Sequence, residues 1–321
     1  MTAVVVLALL LAAAIAVPHA LPLQRVAPVS AVAVWFLALC LRALAACAAA
    51  IYLLVYVPQT HAFASVSDWC LRVVFPVPAV RLHLSGIAVA DVASSLPAVA
   101  LVGSLVAAAF VLVRATLDAR GLLKRLAIGD GPLGSTVLDS DGILVAVTRT
   151  GPARLLISGA ALTAFDDEEL DAGLQHELGH LRRSHRPVML AASLMRALAR
   201  WQPGANAAYR ELCFSLERDA DEYALERTRN PLALASAICK AAAGQAAAIP
   251  VLGLQGRSRV TLRLDYLMAG GRQRGGVVLE QATRLLAVAM LALTLFLVIA
   301  GPAWAVTHGI PLPLESAAHH C

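Results

Sequence analysis

The chain has 321 residues, of which 59% are apolar and only 15% are charged, and its mean hydropathy is +0.73. Soluble domains are typically about 45–50% apolar and about 25% charged, so this composition excludes both a single soluble globule and a disordered chain. Six cysteines in so long a chain also exclude a disulfide scaffold. We therefore predict a membrane protein that carries one water-exposed domain.

The charged residues indicate where that water-exposed domain lies. Of the 26 Lys and Arg residues, 22 lie between Arg114 and Arg284, and so do 18 of the 21 acidic residues. This segment therefore has a small net positive charge. Its basic residues do not alternate with aromatic ones, and we expect no direct contact with nucleic acid.

Four apolar segments approach or reach the roughly 20 residues that a helix needs to cross a bilayer. In chain order they are residues 2–17 (extendable to 23), 28–57, 92–113 and 285–306. No Lys or Arg precedes Arg25, so the first segment lacks the charged start of a signal peptide and is predicted to be an uncleaved span. Arg42 interrupts the second segment, and we expect its side chain to face the helix bundle or to reach the membrane interface.

Seven cations next to these segments predict the orientation of the chain, because short loops rich in Lys and Arg stay in the cytoplasm. They are Arg114, Arg120, Lys124, Arg125, Arg272, Arg274 and Arg284. We expect residues 1–116 to form a membrane domain with three transmembrane helices, and residues 117–276 to form a cytoplasmic domain. Residues 277–321 would then form a fourth transmembrane helix and a short external tail. Both termini and the loop 59–86 are then outside, where a disulfide between Cys70 and Cys321 is chemically feasible.

The cytoplasmic domain is predicted to combine a few short strands with several helices. Residues 143–147 and 155–158 are apolar stretches separated by a turn that contains Gly and Pro, which predicts a β-hairpin. Asp166 and Glu169 form a capping-box pattern, after which leucines recur every three or four residues and predict an amphipathic helix. Further helices are predicted over about residues 189–201, 206–226 and 232–248. The predicted fold class is a mainly α membrane protein with four transmembrane helices and an α+β cytoplasmic domain carrying a small β-hairpin.

The segment His176-Glu177-Leu178-Gly179-His180 is an HExxH motif on this amphipathic helix. Two imidazoles four residues apart lie on one helix face and can bind one metal ion. Glu177 can reach a water that the ion activates and can act as its general base. The alternative is a surface helix with two histidines, and the predicted helix cap disfavours it.

A catalytic zinc ion usually has three protein ligands and one open position, so a third ligand is needed. His185 is one candidate, but the metzincin spacing requires a histidine where Arg186 stands. Glu217, on the third predicted helix, is the better candidate, and Asp221 one turn later can accept a hydrogen bond from a ligand imidazole. The alternative for Glu217 is an acidic helix face in solvent, since other acidic residues lie close by: Asp219, Glu222 and Glu226.

HExxH followed by Glu217-Arg218-Asp219-Ala220-Asp221 resembles the gluzincin pattern of the HtpX and CAAX prenyl protease group. It is also similar to the BlaR/MecR family of membrane zinc metallopeptidases. Three further features favour the second family: His185, the sequence Trp201-Gln202-Pro203, and three predicted spans before the motif with one after it. The resemblance covers residues 142–225 by motif and most of the chain by topology.

The resemblance implies a zincin-like metallopeptidase domain that holds one Zn²⁺. By matching positions, its ligands are His176, His180 and Glu217, its general base is Glu177, and Asp221 hydrogen-bonds a ligand. Residues 307–321 are too few for the penicillin-binding sensor domain of antibiotic sensors in that family, and we expect no such sensing. Ala220 stands where those sensors often have Cys, a difference shared with the HtpX group.

The sequence thus predicts an integral-membrane zinc metalloendopeptidase of the bacterial inner membrane, with its protease domain in the cytoplasm. The expected partners are the lipid bilayer and a protein or peptide substrate, such as a cytoplasmic winged-helix repressor cleaved in regulatory proteolysis. We expect the substrate to add as a strand against the edge of the hairpin near residues 155–158. Tyr223 and His185 are candidates for stabilising the oxyanion, although both have a structural alternative.

Two other functions remain open. One is an HtpX-like quality-control protease for membrane proteins. The other is a non-catalytic signal transducer with a structural metal site. Glu177 argues against the transducer, because a structural metal site has no need of a general base.

Overall fold

The computed structural model describes residues 2–55, 57–73, 86–147, 154–244, 260–268 and 276–307. This part of the chain is mostly helical and contains one small sheet. The helices before the sheet are α1 (Thr2–Ala20), α2 (Pro28–Val55), α3 (His61–Val73) and α4 (Gly86–Leu126). The strands are β1 (Ala127–Asp130), β2 (Thr136–Leu138), β3 (Val145–Val147) and β4 (Leu155–Ser158). The later helices are α5 (Gly159–Ala164), α6 (Asp167–Arg182), α7 (His185–Leu198), α8 (Ala205–Thr228), α9 (Pro231–Gly244), α10 (Val260–Met268) and α11 (Val277–Thr307).

Among the described residues, three helices are long and apolar enough to cross a membrane, which supports the prediction of a membrane protein. They are α2, the Val92–Leu126 part of α4, and the Val277–Ile299 part of α11. The apolar stretch of α1, Val5–Ala20, is shorter, so a fourth span stays a prediction, and so does the orientation. Part of the predicted external loop 59–86 forms α3. The side chain of Cys70 and the whole of Cys321 lie outside the described part of the chain.

The sheet has the strand order β1-β2-β4-β3. β3 and β4 pair antiparallel, as the hairpin prediction required, with Val145 opposite Ile157 and Val147 opposite Leu155. The sequence analysis did not predict β1 and β2, and β2 pairs parallel to β4. Because β4 has a partner on both sides, a substrate strand cannot pair with residues 155–158 directly, and its addition against the hairpin edge stays a prediction. The edge strand of the described sheet on that side is β3.

The largest hydrophobic cluster joins the first half of α2 to the helices that follow the sheet. Nine of the ten buried residues of α2 lie at or before Ala43. Around them pack Ala192 of α7, Leu212 and Leu216 of α8, and Met290 of α11. The helices of the predicted cytoplasmic domain therefore share one core with a helix that is long and apolar enough to cross a membrane.

Polar contacts define how these helices align. The Gln202 side chain donates to the Arg42 carbonyl (2.9 Å), and the Arg218 guanidinium donates to the Val26 carbonyl (3.1 Å). α8 therefore runs antiparallel to α2, from the middle of α2 towards its first residue. At that end of α2, Glu280 of α11 accepts from the Ala27 N–H (2.9 Å). The Arg42 side chain faces the helix bundle, one of the two expected orientations, and contacts the His19 ring (2.8 Å).

Candidate metal centre

The helix that carries the HExxH motif begins with a capping box. The Asp166 side chain accepts from the Glu169 N–H (2.8 Å), and the Glu169 side chain accepts from the Asp166 N–H (3.0 Å). The two residues thereby satisfy two backbone N–H groups that every helix start leaves without a partner. Glu169 also accepts from Ser236 and Lys240 of α9, which attaches the start of α6 to its neighbour. The predicted cap is therefore confirmed.

A close approach of α6 to α8 brings the motif to its third candidate ligand. At Gly179, a Cβ atom would lie 3.1 Å from Cβ of Tyr223 and 3.2 Å from Cα of Ala220. These distances are tighter than ordinary van der Waals contact, so a glycine is needed for the two helices to pack at this spacing. Because α8 lies so close, Glu217 reaches both histidines of α6.

The three candidate ligand side chains converge on one point. The Nε2 atoms of His176 and His180 are 3.3 Å apart. The Glu217 carboxylate has one oxygen 3.5 Å from Nε2 of His176 and the other 3.6 Å from Nε2 of His180. Ligand atoms about 2.0–2.2 Å from a tetrahedral metal ion are separated from one another by about 3.3–3.6 Å. One ligand atom from each of the three side chains lies within 4.8 Å of the other two, so the three could hold a metal ion.

Asp221 and Arg263 lie directly behind these ligands. Oδ1 of Asp221 is 2.8 Å from Nδ1 of His176, the ring nitrogen that does not face the other ligands. Arg263 of α10 donates to Asp221 through two nitrogens (2.7 and 2.8 Å) and to Glu217 through a third (3.0 Å). No pattern in the sequence predicts Arg263, because its position after Glu217 follows no ligand spacing.

The charges of this cluster are strongly coupled. Burial alone would raise the pKa values of Glu217 and Asp221, but the Arg263 guanidinium and the neighbouring histidines together outweigh it and hold both below their usual values. Burial disfavours a charged His176, yet contact with Asp221 and Glu217 raises its pKa to about 10. Burial lowers the pKa of His180 to about 3, so this imidazole is neutral at physiological pH. A metal ion would therefore displace a proton from His176 rather than from His180.

His185 lies behind His180, not beside the ligand atoms. Its Nδ1 is 2.9 Å from Nδ1 of His180, and its Nε2 is 2.8 Å from Oδ2 of Asp219. If Nε2 of His180 held a metal, its Nδ1–H would donate a hydrogen bond to Nδ1 of His185, and Nε2–H of His185 would donate to Asp219. Arg183 donates to the same Asp219 carboxylate (2.6 Å). His185 thus orients a ligand and has no free ring nitrogen for an oxyanion.

The second oxyanion candidate, Tyr223, is buried on α8. The Arg227 guanidinium lies 3.4 Å from the centre of its ring, and Arg183 lies 5.6 Å away. The ring also packs next to Gly179, so the described contacts of Tyr223 are those of a packing residue. Its role in the reaction stays a prediction without support from these contacts.

Glu177 directly follows His176 on α6, and its side chain is partly buried. Burial raises its pKa to about 7, the nearby Glu217 carboxylate acts in the same direction, and His176 and the Val147 N–H act against it. A carboxylate with a pKa near neutrality is suited to accept and return a proton. Because the Val147 N–H reaches Glu177, the edge strand β3 borders the site.

The described residues bring together every side chain that the motif singled out: His176, Glu177, His180, Glu217 and Asp221. Their individual catalytic roles stay predictions. No protein-family model, no curated protein and no solved structure matches this chain. The geometry of the His176, His180 and Glu217 cluster is therefore the basis for a functional proposal.

Proposed function

We propose that the chain is an integral-membrane, zinc-dependent metalloendopeptidase. The observation that carries this proposal is the convergence of His176, His180 and Glu217, which each bring one ligand atom within 4.8 Å of the other two. Two imidazoles and one carboxylate form a set typical of catalytic zinc, and three protein ligands leave one position open. The resemblance to membrane zinc metallopeptidases of the BlaR/MecR type supports the same chemistry.

The chemistry is peptide-bond hydrolysis with Glu177 as general base. When bound, zinc supplies a Lewis acid that polarises the scissile carbonyl and increases the acidity of water. Glu177 removes one proton from the attacking water as the new C–O bond forms. It then delivers that proton to the leaving nitrogen as the C–N bond breaks, which restores the carboxylate. His185 and Asp221 keep the ligand imidazoles oriented during both steps.

The substrate would bind as an extended peptide along β3. Val145–Val147 pairs with β4 on one side only, and the Val147 N–H lies at the general base. An extended peptide can add to such an edge through backbone hydrogen bonds. These bonds do not depend on side chains, so this mode of binding accepts peptides of many sequences. By resemblance to the BlaR/MecR family, we propose a cytoplasmic winged-helix repressor as the substrate in regulatory proteolysis.

The decisive experiment compares the full-length protein with Glu177→Gln. We expect the variant to retain about one zinc per chain, because Glu177 is not a ligand. Its cleavage of a casein or peptide-library probe should fall about 10²–10⁴-fold. Glu168→Gln, in the first turn of the same helix, is the matched control and should keep full activity. Undiminished cleavage by Glu177→Gln would overturn the enzymatic proposal.

A comparison of protein levels in cells separates the two proteolytic functions. Cells with the wild type and cells with Glu177→Gln should differ in a soluble DNA-binding protein that is cleaved only by the wild type. The packing of α7 and α8 along α2 favours the alternative of an HtpX-like protease, because it keeps the site close to a membrane-crossing helix. Accumulation of integral membrane proteins alone would establish that alternative instead.

A further inference from the structure

A sharp turn after α6 brings His185 back against the helix that carries the candidate ligands. Arg183 and Ser184 connect α6 to α7. Ser184 has φ 54° and ψ 40°, in the left-handed region that residues other than glycine rarely adopt. Arg183 still donates its backbone N–H to the Gly179 carbonyl (3.0 Å), so the chain turns directly at the end of the helix. His185 therefore lies against His180, five residues earlier, with their Nδ1 atoms 2.9 Å apart.

The contacts behind His180 define one direction of hydrogen bonding. A carboxylate only accepts, so Nε2 of His185, 2.8 Å from Oδ2 of Asp219, carries the proton of that contact. In a neutral imidazole the other ring nitrogen is then an acceptor, so Nδ1 of His180 donates to Nδ1 of His185. A neutral His180 that donates through Nδ1 has its lone pair on Nε2, the atom that faces the other candidate ligands. Asp219 thereby selects, through His185, the form of His180 that can bind a metal.

Arg183 holds Asp219 in the orientation that this selection requires. Its Nη1 donates to Oδ1 of Asp219 (2.6 Å) and to the Asp219 backbone carbonyl (2.9 Å). Because Oδ1 is held, the carboxylate does not rotate, and Oδ2 stays directed at His185. The Asp219 side chain is only 5% exposed, so little water reaches it to replace the guanidinium. Nη2 of Arg183 also contacts Glu226, but that side chain is 61% exposed, and such surface ion pairs contribute little.

The other candidate ligand imidazole is supported in the same manner by separate residues. Nδ1 of His176 is 2.8 Å from Oδ1 of Asp221, and Arg263 donates to both oxygens of that carboxylate (2.7 and 2.8 Å). The two arrangements share no residue. Loss of Arg183 therefore leaves His176 oriented, and a metal ion would be bound more weakly rather than lost.

We infer that Arg183 is a positioning residue for the candidate ligand His180. It acts through Asp219 and His185, and it keeps the Nε2 lone pair of His180 directed at the metal position. The inference rests on the metal site of the proposed function. It does not depend on peptide hydrolysis, because orientation of a ligand is measured by metal binding alone.

The test measures Co²⁺ binding to the full-length, metal-free protein in detergent, through visible absorption bands whose intensity reports the ligand geometry. We expect Arg183→Gln to lower the Co²⁺ affinity about tenfold and to change these bands, as loss of a residue that orients metal ligands does. Arg183→Lys should restore part of the affinity, because a single nitrogen makes both contacts with Asp219. Arg182→Gln, its exposed neighbour, is the matched control and should bind as the wild type does. An unchanged affinity in Arg183→Gln overturns the inference.

A double-mutant cycle separates positioning from a general effect on folding. Because Arg183 acts through His185, we expect Arg183→Gln to have almost no further effect on Co²⁺ affinity in the His185→Ala background. A residue that only stabilises the fold would lower the affinity by the same factor in both backgrounds, and this result overturns the inference. A wild type that binds no Co²⁺ overturns the proposed metal site as well. A metal-loaded wild type that cleaves no peptide overturns only the proposed function.

Discussion

Arg263 and Asp221 form a two-point salt bridge behind the candidate metal ligands. Nε of Arg263 is 2.8 Å from Oδ2 of Asp221, and its Nη2 is 2.7 Å from Oδ1. The same guanidinium donates to Glu217, while Asp221 contacts His176. One arginine therefore fixes a candidate ligand carboxylate directly and a candidate ligand imidazole through its partner, and it offsets part of the negative charge of the two carboxylates.

Replacing Arg263 with Lys should weaken metal binding although the positive charge is kept. An ammonium group cannot reproduce two parallel hydrogen bonds to a carboxylate. Loss of a residue that orients metal ligands typically costs about 10–100-fold in metal affinity, and we expect a loss in this range. Competition with a chelator of known affinity measures it, with Arg182→Lys as the control. An unchanged affinity would show that Arg263 does not orient the ligands.

Glu217→Ala and His185→Ala should affect the metal in different ways. Glu217→Ala removes one of three ligands, so the purified variant should lack stoichiometric metal. His185→Ala removes only the acceptor behind His180, so at saturating metal it should still bind one ion, with an affinity reduced about tenfold. Elemental analysis and metal titration provide the readings. Metal retention in the first variant together with loss in the second would refute the ligand set.

Gly179→Ala should separate α6 from α8 by a few tenths of an ångström. The new methyl group would lie 3.2 Å from a backbone atom of Ala220, which cannot rotate away. We expect a lower Tm and a weaker metal affinity, because the ligands come from both helices. Gly173→Ala, on the same helix, meets nothing within 4 Å and is the matched control. The control should stabilise the helix by about 0.5–1 kcal/mol, since Ala is the better helix former.

Glu169→Gln should destabilise the protein in a pH-dependent way. Burial alone would raise the pKa of Glu169, but hydrogen bonds from Lys240, Ser236 and the Asp166 backbone outweigh it and hold the pKa below its usual value. A lowered pKa means that the stabilisation is complete above the unfolded-state value of about 4.3 and is lost as the pH falls through the folded-state value. Lys240 is partly exposed, so we expect an effect of about 1 kcal/mol or less.

Thermal unfolding in detergent at neutral and acidic pH measures this dependence. The Tm of the wild type should exceed that of Glu169→Gln at neutral pH, and the two values should converge as Glu169 becomes protonated. A difference that is the same at both pH values would show that the carboxylate charge contributes nothing.

Reporter fusions test the predicted orientation. A reporter joined after Gly276 should be active in the cytoplasm, because seven cations flank the water-exposed domain. A reporter joined after Cys321 should be active outside. A cytoplasmic signal from the second fusion would mean that residues 285–306 do not form a span or that the whole chain is reversed.

Local signals in the sequence are sufficient to predict several elements of the structure. The cap formed by Asp166 and Glu169 depends on residues three positions apart, and the hairpin of β3 and β4 depends on neighbouring stretches. In the HExxH motif, the repeat of the helix alone places the two histidines on one face. For these features, the residues that interact are close along the chain, so a pattern can be recognised without a structure.

Long-range contacts could not be predicted in the same way. Arg263 meets Asp221 across 42 residues, on a helix that has no motif of its own. The sequence position of His185 permits a ligand role, and only the fold reveals that both of its ring nitrogens contact His180 and Asp219. β1 and β2 are three or four residues long, which is too short for a clear alternating pattern.

Because α8 runs antiparallel to α2, a substrate anchored in the membrane would need a minimum number of residues between its anchor and its cleavage site. Ala205 begins α8 beside Arg42, and Glu217 follows twelve residues later, about 18 Å further along the helix axis. A bond cleaved at the metal centre is therefore about 18 Å away from the level of Arg42. Extended chain covers this distance with about five or six residues. A substrate anchored in the membrane at that level needs at least this many residues before its cleavage site, whereas a soluble substrate has no such requirement.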